Sequence, residues 1–254
     1  MNMNLSVQEG VAHLILNNPP LNILSNKVKS DIKEAFYSLA NDETVRVVLF
    51  ETVGDHFCCG ADLSEFPNRI NNNGAKEAWI NGHEMLQSIL DLPQPSIVCV
   101  KGNALGGGAE LASAFDIRLF AHDVIFGYPE VSRAVFPGNG GMERFIQLLG
   151  IANATYLFLT GERITASEAR RIGMANKVVD RKQLESEGMY IARLLASYSN
   201  PAIQTIKRTI NNYQHGNQFF QKGMSDFAML HDTEDIKESV NAFFEKRKPV
   251  YRHN

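Results

Sequence analysis

Short apolar runs alternate with helix-period segments through the first two-thirds of this chain. That alternation restricts it to an α/β architecture with a largely parallel component. Val11–Leu16 is an apolar run ending at Asn17-Asn18-Pro19-Pro20, which predicts a strand entering a loop. Ser25 is placed to cap a helix in which Val28, Ile32, Phe36 and Leu39 recur every three or four residues. Residues 45–50 read as a buried strand running into a loop over 54–62. A helix is expected around 79–90, after which Pro95 introduces a strand over Ser96–Val100. The chain has 254 residues, 44% hydrophobic and 21% charged, which supplies a core of ordinary size without staples.

Two glycine clusters interrupt the pattern. Gly106-Gly107-Gly108 separates the strand from an apolar helical run at 111–115, and Gly138-Asn139-Gly140-Gly141 precedes a helix around 145–149. Thr165 and Glu168 are spaced as a capping box for a short helix that stops near Gly173. From Arg181 onward the chain reads as helices, with Pro201 at one start and Asp232 capping the last.

Composition narrows the function classes. A net charge of −3 gives no general reason to bind nucleic acid or an anionic membrane. Cys58, Cys59 and Cys99 form neither a disulfide framework nor a zinc-ligand spacing, so buried thiols in a reducing compartment are expected. No basic-then-apolar leader is visible at the N-terminus, and no stretch approaches the roughly 20 apolar residues that span a bilayer. The cytoplasm is the expected location.

Three successive glycines cost backbone entropy, so a backbone requirement should offset them. A helix N-terminus offers unpaired N–H groups to a developing anion, and a tight strand-to-helix turn explains the triplet equally well. Neither the Walker pattern nor the dinucleotide fingerprint is present. Glu110 suits the helix dipole as readily as it suits catalysis. Glu130, in Phe126-Gly127-Tyr128-Pro129-Glu130, reads alone as a loop acid.

Together these segments resemble the signature of the enoyl-CoA hydratase/isomerase (crotonase) superfamily. The resemblance is carried by Gly102-Asn103-Ala104-Leu105-Gly106-Gly107-Gly108-Ala109-Glu110-Leu111, then Asp116-Ile117-Arg118 and the Glu130 turn. It extends through Phe136-Pro137-Gly138-Asn139-Gly140-Gly141, the earlier Phe57-Cys58-Cys59-Gly60-Ala61-Asp62-Leu63 and the terminal Phe243-Phe244-Glu245-Lys246-Arg247-Lys248-Pro249. The matches span about 11–250 in family order and spacing.

The resemblance implies a spiral of ββα units over residues 1–195, carrying the catalytic site. It implies a helical region over 196–254 that forms trimers, often paired into hexamers. The thioester oxygen would be gripped by the N–H groups of Ala61 and Gly107, which stabilise the enolate formed when water adds at Cβ. Hydratases of the family carry two glutamates, kept here as Glu110, expected to activate water, and Glu130, expected to protonate Cα. Close carboxylates push one pKa up, so one can act as the acid. Coenzyme A would lie along Leu21, Asn22 and Ile23 and against Asp62, Leu63 and Ser64. Phe243 and Lys246 would approach its nucleotide end, although the basic terminal run also suits a solvated tail. Coenzyme A enters with the substrate, and neither a further cofactor nor a metal is implied.

Three departures from the family pattern bear on acyl-group shape: Cys58-Cys59, Met142-Glu143 and Tyr128. The rival activities are a double-bond isomerase, which can work with one glutamate near position 130, and a hydrolase or decarboxylase. A non-catalytic acyl-CoA-binding subunit is the rival of a different class.

Overall fold

A computed structural model of the chain describes residues 2–67, 74–135, 137–212, 229 and 233–252. Among these residues, nine strands form two sheets. The larger holds β1 (Met3–Gln8), β2 (Val11–Leu16), β3 (Val47–Thr52), β4 (Ser96–Val100), β6 (Ile117–Ala121) and β9 (Lys177–Val179), in the order β1-β2-β3-β4-β6-β9. Every pairing is parallel except that of β1 with β2. The inner strands are buried on both faces, which is why β3 and β4 read as nearly unbroken apolar runs. The smaller sheet has the order β5-β7-β8, from β5 (Asn103–Leu105), β7 (Ile125–Gly127) and β8 (Arg163–Thr165).

The two sheets advance together. β4 pairs with β6 in the large sheet while β5 pairs with β7 in the small one, both parallel. Single bridges, Cys58 with Ala104 and Leu24 with Ala61, carry the small layer back to earlier turns of the chain. Each turn therefore lays a strand in one layer and an extended piece in the other. This is the ββα spiral of the crotonase fold.

Among the described residues, eight helices clothe the sheets: α1 (Asn26–Ala40), α2 (Ala75–Leu90), α3 (Gly107–Ser113), α4 (Met142–Thr160), α5 (Ala166–Arg171), α6 (Leu184–Ala196), α7 (Asn200–Asn212) and α8 (Glu234–Glu245). Ser25 caps α1 as expected, its Oγ accepting from Val28 N at 3.2 Å. The expected strand at 45–50 starts later, at Val47, because Val45 N and Arg46 N donate to Asp42 O and Gly10 O in a turn. The helix expected from Leu111 begins inside the glycine triplet, and α4 is longer than expected, bending at Gly150 with φ 74°. The capping box at α5 is half formed. Thr165 Oγ1 accepts from Glu168 N, but the Glu168 carboxylate turns to Arg171 instead of returning to the cap. Asp232 lies outside the described residues.

The core contains two aromatic groups. Phe36, Phe50, Phe57 and Phe115 meet between α1, β3 and α3. Tyr128, Phe126, Phe145 and Phe158 meet between β7 and α4, with Tyr128 and Phe145 centroids 4.5 Å apart. Polar ties fix the rest. Asp116 accepts from Ser96 N and Oγ and pairs with the buried Lys207 at 2.7 Å, which binds α7 to the sheet. Arg118 donates to Met174 O and Phe115 O from a buried position. Asp116-Ile117-Arg118 thus has a structural use.

Candidate active site

Each glycine of the triplet meets a close neighbour. Gly106 has φ 55°, and a Cβ there would lie 2.7 Å from Glu130 Oε1. At Gly108 a Cβ would collide with the backbone carbonyl of Cys58. The chain therefore turns from β5 into α3 hard against two other segments, and only glycine fits. As the first residue of α3, Gly107 keeps an N–H that the helix leaves unpaired. The Leu24–Ala61 bridge uses Leu24 N on Gly60 O and Asp62 N on Leu24 O, so Ala61 N is unspent among the described residues. A Cβ on Gly107 would stand 3.8 Å from Ala61 N, and both residues line one cavity. Two free amides thus border the same space.

Glu110 is wholly buried beneath them. Its Oε1 accepts from Asn139 N at 3.1 Å and Gly141 N at 3.0 Å, and its Oε2 accepts from Asn139 Nδ2 at 2.7 Å. The second glycine cluster is thus the cradle of this carboxylate. Burial pushes its pKa upward, opposed by those three donors and by the positive charge of Lys29. The three donors favour the ionised form against burial, and Oε2, which accepts only one of them, keeps a lone pair able to take a proton.

Glu130 sits differently. It belongs to a single-turn 3₁₀ segment, Pro129–Arg133, that follows β7. Its Oε2 is buried and has no hydrogen-bond partner among the described residues. Burial, with a smaller contribution from the Glu110 charge, raises its pKa to about 7. Burial thus raises both carboxylates, but three donors hold the first while the second keeps a buried oxygen unpaired.

The cavity they share measures about 600 Å³. Leu63, Phe66, Ala78 and Trp79 give it an apolar side, and the Glu130 turn with Arg163 closes another. Among the expected contacts for coenzyme A, only Leu63 lines it. Asn22 is wholly buried, its Oδ1 accepting from Asn18 N and its Nδ2 donating to Val53 O and His56 O. Its side chain thus closes the loop that was expected to run along coenzyme A. Asp62 caps a turn by accepting from Ser64 N and Oγ. Leu21 is exposed and Ile23 half-buried on the same loop. Lys246, with φ 55°, is exposed just beyond α8 and does not line the cavity. Phe243 falls in α8, and its side chain lies outside the described residues.

Of the three departures, only Cys59 reaches the cavity. Tyr128 fills the aromatic cluster instead, and Glu143 is exposed on the first turn of α4, so neither shapes the pocket. Sequence reasoning also missed three groups. Asn139 was visible only as the polar residue inside a glycine run. Lys29, 3% exposed yet lining the cavity, stands among the apolar positions of α1 where a charge should have drawn notice. Arg163 carried no signal. Among the described residues, no three His, Cys, Asp or Glu side chains group as metal ligands, and no helix is long and apolar enough to cross a membrane.

Similarity to known proteins extends over the whole chain. A family model described as enoyl-CoA hydratase/isomerase matches residues 6–254. A crotonyl-CoA hydratase of Syntrophomonas wolfei is 34% identical over 253 residues, covering 97% of this chain and 96% of its own. A short-chain-enoyl-CoA hydratase of Clostridium acetobutylicum is 33% identical over 251 residues, covering 97% and 96%. The crystal structure of enoyl-CoA hydratase from Bacillus anthracis is similar with a TM-score of 0.94 at 31% identity, over 100% of both chains.

Proposed function

This chain belongs to the enoyl-CoA hydratase/isomerase family, and we propose that it adds water across the 2,3 double bond of an enoyl-CoA thioester. The observation that carries the reading is the pair of differently held carboxylates beside two free amides. The thioester oxygen takes the N–H groups of Ala61 and Gly107. Water attacks C3 as the Glu110 carboxylate removes its proton, and the π electrons move onto the thioester oxygen as an enolate. Glu130, in its acid form, then delivers a proton to C2. Solvent exchange returns the proton from Glu110 and restores the acid at Glu130.

Each step has a physical source. Fixed amides aimed at the developing oxyanion contribute about 3–4 kcal/mol apiece in comparable sites. A positioned acid or base contributes roughly 10²–10⁴-fold. The donors around Glu110 hold the base ionised, and burial holds the acid near its working pH. An isomerase moves a proton without water and has no use for a second, cradled carboxylate, so the Glu110 site supports hydration.

Coenzyme A would enter past Leu63, with Leu21, Ile23, Asp62 and Ser64 around the same mouth and Phe243 and Lys246 toward its nucleotide. The chain would assemble as a trimer or hexamer through its helical part, residues 196–254, and through α4, where Ile151, Tyr156 and Leu159 are exposed. Its three cysteines are free, which supports a reducing compartment such as the cytoplasm. The test is incubation with crotonyl-CoA and a 3-enoyl-CoA, read by mass. Gain of one water from crotonyl-CoA is the expected result, and an unchanged mass with a moved double bond refutes hydration.

A further inference from the structure

The cavity carries more positive charge than the hydration reaction uses. Lys29, Arg133 and Arg163 line it together with the two carboxylates. Lys29 is buried and acts electrostatically on Glu110. The two arginines have no such task. Neither makes a hydrogen bond or ion pair among the described residues, although both stand beside the Glu130 turn.

Their placement is specific. Arg133 is the last residue of the 3₁₀ segment that holds Glu130, three positions on, and residues at that spacing eclipse on one face. Arg163 pairs across β7–β8 with Gly127, just before the same segment. Because Gly127 has no side chain, the Arg163 stem lies over the strand: a Cβ on Gly127 would sit 3.5 Å from Arg163 Cγ. Glu130 does not neutralise either cation, since its buried oxygen is unpaired and neither arginine figures among the influences on its pKa. Both arginines are exposed and line the same cavity as the apolar Leu63, Phe66, Ala78 and Trp79. Cations that line one cavity without partners favour an anion there, and a guanidinium binds a carboxylate through paired N–H donors.

We infer that Arg133 and Arg163 select an enoyl-CoA whose acyl chain ends in a carboxylate, an unsaturated dicarboxylic acid joined to coenzyme A through one end. This rests on the hydratase reading of the same cavity and names its substrate class. The apolar side would hold the methylene and vinyl carbons, and the arginines the distal carboxylate. The other anion available to them is a phosphate of coenzyme A itself.

The experiment compares glutaconyl-CoA and 2-hexenedioyl-CoA with crotonyl-CoA and 2-hexenoyl-CoA, using the wild type, Arg133→Met and Arg163→Met. The wild type should prefer each diacid over the neutral substrate in kcat/KM. That preference should fall at least about tenfold in Arg133→Met, mainly through KM, as expected for losing a charge-assisted contact. Arg133→Lys should recover part of it. The preference should persist when coenzyme A is replaced by N-acetylcysteamine, which has no phosphates. Absence of a diacid preference in the wild type overturns the inference. So does a preference unchanged in both variants, and so do equal losses for diacid and neutral substrates that disappear with the truncated thiol, which would assign the arginines to phosphate. If no enoyl thioester is hydrated, the reaction assignment fails separately. Calorimetric binding of glutaryl-CoA against butyryl-CoA then decides the selectivity, and equal affinities end it.

Discussion

The two carboxylates of this site lie on opposite kinds of ground. Glu110 stands in the first turn of α3, with both oxygens held by three donors from the loop before α4. Glu130 stands on one turn of 3₁₀ helix at the cavity edge, with a buried oxygen that nothing holds. Glu110 is wholly buried and Glu130 half-buried, yet burial alone does not decide their protonation. Three donors from another segment oppose it at the first site, and only the residue's own backbone N–H does so at the second. Identical side chains thus acquire opposite roles from the hydrogen bonds that surround them.

The most direct way to break the contrast is to remove either charge. Glu110→Gln and Glu130→Gln should each lower kcat for crotonyl-CoA hydration by at least about 10²-fold, the usual loss of an acid or base. Steady-state rates check this, and a change of less than threefold in either would remove that residue from the mechanism. The acid role of Glu130 also sets the pH profile. Its protonated form disappears above about 7, so kcat should fall roughly tenfold per pH unit on the alkaline side. Glu130→Gln should abolish that limb.

Stability should move the other way. The folded pKa of Glu130, about 7, exceeds its ordinary 4.5, so the folded chain holds more protons between those values. Stability therefore declines as pH rises through that window, and the whole cost, on the order of 3 kcal/mol, persists above it. Glu130→Gln should accordingly raise the Tm at pH 8 and leave it nearly unchanged at pH 4. Glu110→Gln should lower it at pH 8, because an amide would point N–H at N–H within the Asn139–Gly141 cradle. Equal Tm shifts of one sign in the two variants would erase the distinction drawn between the sites.

Smaller effects sharpen the comparison from the Glu110 side. Asn139→Ala removes the 2.7 Å bond and should cost kcat about tenfold. Its acid limb should rise in pH, since fewer donors then favour the ionised base. Lys29→Met should displace that limb in the same direction by a few tenths of a unit, the size expected for a charge acting without a direct bond. A shift in the opposite direction from either variant would contradict the electrostatic account.

Much of this was legible beforehand. The α1 cap at Ser25, the strands β2 and β4, and the α/β alternation follow from local periodicity and capping chemistry, which act within a few residues. The glycine triplet announced a backbone requirement, and its partners proved to be Cys58 O and Glu130. Asn22 illustrates the opposite case. The family resemblance set it beside coenzyme A, but its side-chain partners lie up to 34 residues away and no local pattern records them. The same applies to Tyr128, whose ring neighbours Phe145 and Phe158 lie in α4.

The sequence by itself determined the elements, the glycine-dependent turn into α3, and the presence of two glutamates at positions suited to hydration. Only the tertiary structure decided which glutamate is cradled, that Asn139 does the cradling, and that Lys29, Arg133 and Arg163 reach the same cavity. The reason is one of range. Capping and periodicity are set by neighbours within a turn or two, whereas protonation and cavity charge are set by whichever groups converge through space, here from α1, α3, β8 and two loops.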